Sequence, residues 1–581
     1  MTKTKPEFMK PFFVALGLLL AAPALLQAQS AYVPFNADYY HLVERYEIKR
    51  GKFAEGLHLS VRPLARKGVA NLADSVLAAS RATGRPLSAV DRFNLFYLLN
   101  DNSEWADTTD DRSRRPILKT FYRTKADLFR VDTKDFDLHV NPVLHLMAGQ
   151  ANEEGRNRPF INSRGAEIRG MIAKRVGFYT YLTETALMPV GYVDNFIGQY
   201  GAVPYENFWK TREATGNSLA NGVTFLTARG YVAFDIIKDK MLLQFGHDKH
   251  HLGPGYRSLI LSDFAGNYTF LKLNTKVWKL NYTNLFTQMN AETTGTNRVY
   301  PKKHGVFHHL SLNVTKNLNI GLFESVMFGR TDNAFEFGYL NPIIFYRSVE
   351  QHVGSGDNSI IGADFRWNLL HRLQLYGQVI LDEWVTSEVR AGNGWAGNKQ
   401  ALQLGAKYID VLGIPHLDLQ VEYNLVRPYT YSHFGSTFLL SNQAHYNQPL
   451  AHPLGANFRE LMVVLRHQPA PRLSIVLKGF FIQKGEDGRP GDNFGGNIFK
   501  DYTTRASEYG NTVGQGIGTN IFFGDFTASY QLRHNLFLDF KQIVRRFRSD
   551  EPDLTPALVN NTLRFSQLGL RWNIQQRAQE F

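Results

Sequence analysis

The stretch Leu402-Gln403-Leu404-Gly405-Ala406-Lys407-Tyr408 and, after a link at 410–416, Leu417-Asp418-Leu419-Gln420-Val421-Glu422-Tyr423-Asn424-Leu425 alternates apolar and other residues with a period of two. Successive side chains of a β-strand point to opposite faces. The second segment therefore shows Leu417, Leu419, Val421, Tyr423 and Leu425 on one face and Asp418, Gln420, Glu422 and Asn424 on the other.

The same pattern repeats outward from this hairpin. Ile361, Ala363, Phe365 and Trp367 lead into Leu373, Leu375, Val379 and Leu381, with Asp364, Arg366, Asn368, Gln374, Gln378 and Asp382 on the reverse faces. Leu310, Leu312 and Val314 lead into Leu318, Ile320 and Leu322; Leu461, Val463 and Leu465 lead into Leu473, Ile475, Leu477 and Phe481; Phe526, Ala528, Tyr530 and Leu532 lead into Leu536, Leu538 and Phe540. The alternation begins at Asp135, where Phe136, Leu138 and Val140 oppose Asp137, His139 and Asn141.

A soluble sandwich alternates too, so the connections discriminate. Short turns near 173–175, 237–240, 274–276, 315–317, 369–372, 410–416, 467–472 and 533–535 alternate strictly with long links near 148–162, 187–223, 249–267, 289–304, 329–358, 385–400, 428–456, 485–516 and 548–560. Outer-membrane barrels have this rhythm of short periplasmic turns and long external loops. Eight turns and nine loops join eighteen strands. The expected fold is an all-β transmembrane barrel of about 18 antiparallel strands over 135–581 in a bacterial outer membrane. Its last strand spans Ser566 to Gln575, with Leu568, Leu570, Trp572 and Ile574 toward lipid and Phe581 out of phase.

Ahead of the barrel, Lys3, Lys5 and Lys10 precede an apolar run from Phe12 to Leu26 that ends at Ala28, the pattern of a signal peptide over 1–28. Residues 29–134 read as a mostly helical periplasmic segment. Pro63 occupies a first helical turn, followed by Leu64, Val69, Leu72, Val76 and Ala79 up to Gly84. Ser88 with Asp91 caps a second helix. No later run approaches the roughly 18 apolar residues of a spanning helix.

The 581 residues include no cysteine, which excludes disulfides, thiolate nucleophiles and Cys-ligated zinc. They carry 65 Lys and Arg against 52 Asp and Glu, but the longest basic cluster is Arg545-Arg546-Phe547-Arg548, at a strand end where lipid phosphates would be met. Outer-membrane lipid is thus an expected partner and nucleic acid is not. His247-Asp248-Lys249-His250-His251 before Gly253 has neither metal-site nor triad spacing, and reads as a structured turn at the top of a strand. No catalytic residue, metal or cofactor is assigned. Candidate glycan-binding residues are Trp395, Tyr429, Tyr431 and Tyr446, aromatic faces among Gly, Asn and Gln in long links. The competing reading makes them part of the interfacial aromatic girdle or packing between loops.

Gly253-Pro254-Gly255-Tyr256-Arg257-Ser258-Leu259-Ile260-Leu261-Ser262 resembles the Gly-Pro-Gly, aromatic, Ser-Leu-Ile-Leu-Ser stretch of the Wzi capsule-assembly family, with Arg257 where the best-known members have an acidic residue. Tyr339-Leu340-Asn341-Pro342-Ile343-Ile344-Phe345-Tyr346-Arg347-Ser348 and Gln448-Pro449-Leu450-Ala451-His452-Pro453-Leu454-Gly455-Ala456-Asn457 resemble a branch that includes RemB-like gliding-motility proteins. The resemblance implies an eighteen-stranded, plugged outer-membrane barrel and brings no catalytic residues. Three roles follow: a non-enzymatic barrel that binds or organises surface polysaccharide, a motility or secretion component with protein partners, or a diffusion channel.

Overall fold

The computed structural model describes residues 31–581 except 85, 115, 154, 157, 174, 213–221, 293–299, 343–345, 353, 355, 436–440 and 556–557. The expected signal peptide lies outside the described residues. Eighteen long strands form one closed antiparallel barrel. They are β1 (Phe136–Ala151), β2 (Phe160–Ile172), β3 (Val176–Met188), β4 (Gly222–Ile237), β5 (Met241–Asp248), β6 (Tyr268–Val277), β7 (Leu280–Asn290), β8 (Lys302–Asn313) and β9 (Leu318–Gly329). The second half is β10 (Asn358–Leu369), β11 (Leu373–Glu383), β12 (Lys399–Tyr408), β13 (Leu417–Val426), β14 (Phe458–Ala470), β15 (Leu473–Glu486), β16 (Ile517–Arg533), β17 (Leu536–Ser549) and β18 (Asn561–Trp572). The barrel closes where β18 pairs with β1, from Phe565 opposite Ala151 to Trp572 opposite Leu144. Short strands Phe129–Asp132 and Trp209–Arg212 pair with β1 and β4.

The barrel is polar inside and apolar outside. Asp418, Gln420, Glu422 and Asn424 are buried, whereas Leu404 on the neighbouring strand is 48% exposed. A sandwich would bury the leucines and wet the carboxylates; a barrel in lipid does the reverse. No helix of the described residues is long and apolar enough to cross a membrane.

One turn lies elsewhere than expected. Instead of ending before 274–276, β6 continues until Lys276 and Val277 pair with Asn281 and Leu280, so the turn is Trp278-Lys279. The polar run Asn274-Thr275-Lys276 reads like a turn, but its inward positions face a polar lumen.

The N-terminal segment is only partly helical. It holds α1 (Ala37–Arg50), α2 (Arg66–Thr83) and α3 (Ala89–Asp101). Pro63 precedes α2 rather than opening it, since Leu64–Ala65 pairs with Tyr32–Val33. Ser88 caps α3 by accepting from Asp91 N at 2.9 Å, as its spacing predicts. The pattern does not announce α1, because it buries charges beside its Tyr39, Tyr40, Val43 and Tyr46. Arg45 pairs with Asp418, Glu47 with Arg366 at 2.7 Å and Glu44 with Lys407 at 2.9 Å, all inward residues of the barrel wall. Burial alone would raise Glu44, but Lys407 and Arg62 outweigh it and hold the carboxyl at about 2. The segment sits at the short-turn end: Ser88 meets His416 at 2.9 Å, and Asn94 donates to Gln468 at 2.7 Å.

Candidate functional site: the filled lumen and the loop canopy

The link after β5 does not stand on top of the barrel as expected; it folds into the lumen. His251–Leu252 pairs with Val61–Arg62 of the N-terminal segment. Gln378 accepts from Leu259 N at 3.0 Å and donates to Leu252 O at 3.3 Å. Gln403 donates to Arg257 O, and Lys407 to Pro254 O, both at 3.1 Å. The Glu422 carboxylate accepts Tyr256 N at 2.7 Å and Arg257 N at 3.1 Å, while the Arg257 guanidinium reaches Glu460 at 3.1 Å. The inward polar row read from alternation is therefore the socket for Gly253–Ser258. Gly253 has φ +133°, and a Cβ there would lie 2.5 Å from Gln378 Nε2, so any other residue would be strained and would displace the Gln378 amide. Ser258 Oγ donates to Leu252 O and accepts from Ile260 N and Leu261 N, which makes it a turn former. Among the described residues, no three His, Asp or Glu side chains gather as a metal set.

The C-terminal tail enters the same space. The last strand ends at Trp572 rather than Gln575, so Ile574 packs against the inner core instead of facing lipid. Asn573 turns with φ +52° and donates to Pro142 O at 2.8 Å. Farther along, Arg577 meets Glu206 at 3.2 Å and Tyr192 donates to Gln579 O at 2.6 Å. Glu580 pairs with Lys478 at 3.0 Å and accepts from Tyr256. Burial alone would raise Glu580, but Lys478, Lys541 and Arg257 hold it far below the usual carboxylate range. Phe581 ends among Tyr192, Phe196, Tyr205 and Phe264, ring to ring at 5.4 to 6.4 Å. Its being out of phase with the last strand now has a cause: it belongs to the plug. A cavity of about 270 Å³ remains between the tail, the Gly253–Ser258 loop and the start of α1.

The long loops form a canopy over this plug. Tyr429, Tyr431 and Tyr446 are buried in it, which removes them as an exposed stacking platform. Tyr431 donates to Leu259 O at 2.7 Å, Tyr429 to Asn493 O at 2.9 Å, and Tyr446 stands edge-on to Tyr300 at 5.3 Å. Burial follows because each replaces water by a backbone or tyrosine partner. Trp395 is half-buried rather than buried, donating to Glu508 at 2.7 Å. Glu508 is shared with Arg505, whose guanidinium lies 5.9 Å from the Tyr502 ring. Lys399 Nζ stands 3.7 Å over the same ring, and His433 and Phe434 lie 6.1 and 6.3 Å from it. Burial and Lys399 push His433 down to about 4, leaving it neutral at neutral pH. The signal for Tyr502 was weak: one aromatic three residues before Arg505 in a polar link.

The link after β9 also departs from expectation. The described residues between 330 and 352 pack on the outside of the barrel as a strap over β7 to β9. Tyr282, His304, Val306, His308, Val326 and Phe328 lie on the outward face, yet all but Tyr282 are buried. The Tyr346 hydroxyl is hydrogen-bonded to His308 Nε2 at 2.7 Å and donates to Tyr339 O at 2.8 Å, and Tyr282 meets His308 Nδ1 at 3.0 Å. Phe335 packs edge-on to His304 at 5.1 Å, and Tyr339 donates to Asp357 at 2.8 Å.

The family model for capsule assembly protein Wzi matches residues 166–541. The chain belongs to the Wzi capsule-assembly family. A solved barrel from Escherichia coli, described as a Wzi outer-membrane protein involved in group 1 capsule assembly and as a carbohydrate-binding β-barrel, is similar at a TM-score of 0.54 and 12% identity, with 95% of this chain and 100% of that one covered. OprD of Pseudomonas aeruginosa aligns at a TM-score of 0.41 and 10% identity over 75% of this chain and 94% of its own. OpdK of the same organism, solved with vanillate, aligns at 0.42 and 8% over 75% and 98%. A comparison with curated proteins finds no match. This Wzi-family chain is an outer-membrane β-barrel, and the resemblance seen in its Gly-Pro-Gly stretch holds at the level of family.

Proposed function

We propose that this barrel binds and organises surface polysaccharide on its long-loop face, and that it is neither an enzyme nor a diffusion channel. The filled lumen carries the reading. Eighteen strands enclose an aqueous channel unless something fills it, and here the N-terminal segment, the Gly253–Ser258 loop and the tail do so. The loop face is then the surface left to hold a long polymer. The description of the Escherichia coli relative as carbohydrate-binding supports this. Trp395, Tyr502 and Phe434 supply partly exposed rings, and Lys399, Arg505 and Glu508 supply charged hydrogen-bonding groups beside them. In this reading residues 1–28 are removed on export, 29–134 close the periplasmic end, and membrane lipid surrounds 135–581. The test replaces Trp395, Phe434 and Tyr502 together by alanine and scores the same cells for barrel assembly, by heat-modifiability on gels, and for retained polysaccharide, by glycan staining. Staining should fall with assembly intact; unchanged staining removes this rim as the binding surface.

The RemB-like resemblance points to a second role, docking of a motility or secretion partner. Ile117 and Leu118, exposed in the N-terminal segment, are the apolar residues such a protein would meet. Deleting the gene separates the readings: lost surface translocation with polysaccharide retained would favour the partner.

A further inference from the structure

Toward their long-loop ends, strands β14 to β18 carry four exposed arginines on the outer wall: Arg459, Arg546, Arg548 and Arg564. Each alternates with a buried inward neighbour, Glu460, Arg545, Phe547 and Phe565. Register gathers them into one band. Arg459 pairs with Gln483, Gln483 with Asn520 and Asn520 with Arg548. Arg546 pairs with Thr562, two residues from Arg564. Arg546 and Arg548 share a face at about 7 Å, and Arg564 is a diagonal neighbour of Arg546 at about 7 Å. Among the described residues, none of the four forms an ion pair. Of the carboxylates on these strands, Glu460, Asp525 and Asp539 are buried and serve Arg257, Lys541 and Arg571, and Glu486 pairs with Lys484.

Height decides what these guanidinium groups meet. From Leu536, at the short-turn end of β17, to Arg546 is ten residues, about 33 Å along a strand. At a tilt of about 40° this is about 25 Å of membrane height, the thickness of the apolar band of an outer-membrane barrel. Exposed Leu477, Phe526, Leu538, Phe540 and Leu568 fill that band below. The arginines therefore stand where hydrocarbon ends and headgroups begin. A guanidinium fork matches a phosphate in two parallel hydrogen bonds, and Arg548 and Arg564, each about 7 Å from Arg546 and on opposite sides of it, make a row of forks that suits a headgroup bearing more than one phosphate.

We propose that Arg546, Arg548 and Arg564, flanked by Arg459, bind the phosphate groups of an anionic phosphoglycolipid of the outer leaflet, so that the barrel carries a specific lipid on this wall. The test uses the full-length protein in nanodiscs of zwitterionic lipid doped with phosphorylated lipid A or with its dephosphorylated form, and reads retained lipid by native mass spectrometry. The wild type should retain the phosphorylated form, and R546Q/R548Q/R564Q should retain it at least about tenfold less. Millimolar inorganic phosphate should not displace it. R164Q, at an outward arginine that faces Glu184 across the register, should behave as wild type. If the triple variant fails the heat-modifiability check, R546Q and R564Q singly should each lower retention several-fold. Equal retention by the arginine variants, or equal retention of the dephosphorylated lipid, would overturn the proposal. Displacement by inorganic phosphate would make this a free-anion site and overturn the lipid assignment.

Discussion

Two sectors of the barrel wall obey the same alternation and meet different surroundings. Along β12 to β18, below the arginine band, the outward wall shows bare apolar side chains, as with Leu404 and Leu568, the latter 61% exposed. Along β7 to β9 the outward positions include Asn284, His304, His308 and Glu324, all of them buried, with described strap residues packed on His304 and His308. Period two settles which side chains point out. Their polarity settles what must cover them, because a polar group facing hydrocarbon without a partner costs several kcal/mol. The strap answers with the Tyr346 hydroxyl on His308 and the Phe335 ring on His304.

Removing the cover is the most severe way to break this comparison. Deleting 331–349, with β9 and β10 rejoined by a short link, should abolish the heat-modifiable form, since the polar strip would face lipid. A fully assembled barrel without the strap would show that the strip needs no cover. The inner face of the bare sector provides the contrast, because its polar row is covered by the tail and would face water if uncovered. Deleting 573–581 should leave the barrel assembled but raise its conductance in planar bilayers above the low level expected of the full chain. Large openings from the intact protein would instead support the channel reading.

Finer substitutions sharpen the same contrast. Tyr346→Phe removes the hydroxyl from His308 Nε2 and Tyr339 O, which should cost about 1–3 kcal/mol as buried polar atoms lose their partner. Thermal unfolding should show a lowered midpoint that His308→Phe in the same chain partly restores. Acid provides a milder lever on the tail. The Glu580 carboxyl is held below its ordinary value, so its contribution is complete above the unfolded value of about 4.3 and declines as pH falls below it. Conductance of the wild type should therefore be flat from neutral pH to about 5 and rise in stronger acid, with a smaller acid dependence in Glu580→Gln. The smallest perturbation tests orientation. The chain has no cysteine, so Gly394→Cys should be labelled on intact cells by a membrane-impermeant maleimide and Asn317→Cys should not; the reverse would invert the barrel.

The strand number, the inward polar rows and the short-turn rhythm were legible in the sequence because they are local: each follows from a two-residue period and from turn chemistry. The Ser88 cap of α3 was legible for the same reason. By contrast, α1 was hidden, since Glu44, Arg45 and Glu47 look like a solvated face until Lys407, Asp418 and Arg366 are brought to them from strands more than 300 residues away. The aromatic loop residues showed their chemistry but not their place: Tyr429, Tyr431 and Tyr446 carry the composition of a sugar platform and are used as packing.

By itself the sequence determined an outer-membrane barrel and its phase, which rest on spacing along the chain, and its family, which rests on the resemblance of the Gly253–Ser262 stretch. Only the tertiary structure decided where the long links go: one into the lumen, one down the outer wall and others into a canopy, with the C-terminal tail threaded beneath. The physical reason is that a loop's destination depends on the donors and acceptors it can satisfy at distant positions. Gly253–Ser258 finds Gln378, Gln403 and Glu422, and Tyr346 finds His308. No local pattern records those partners.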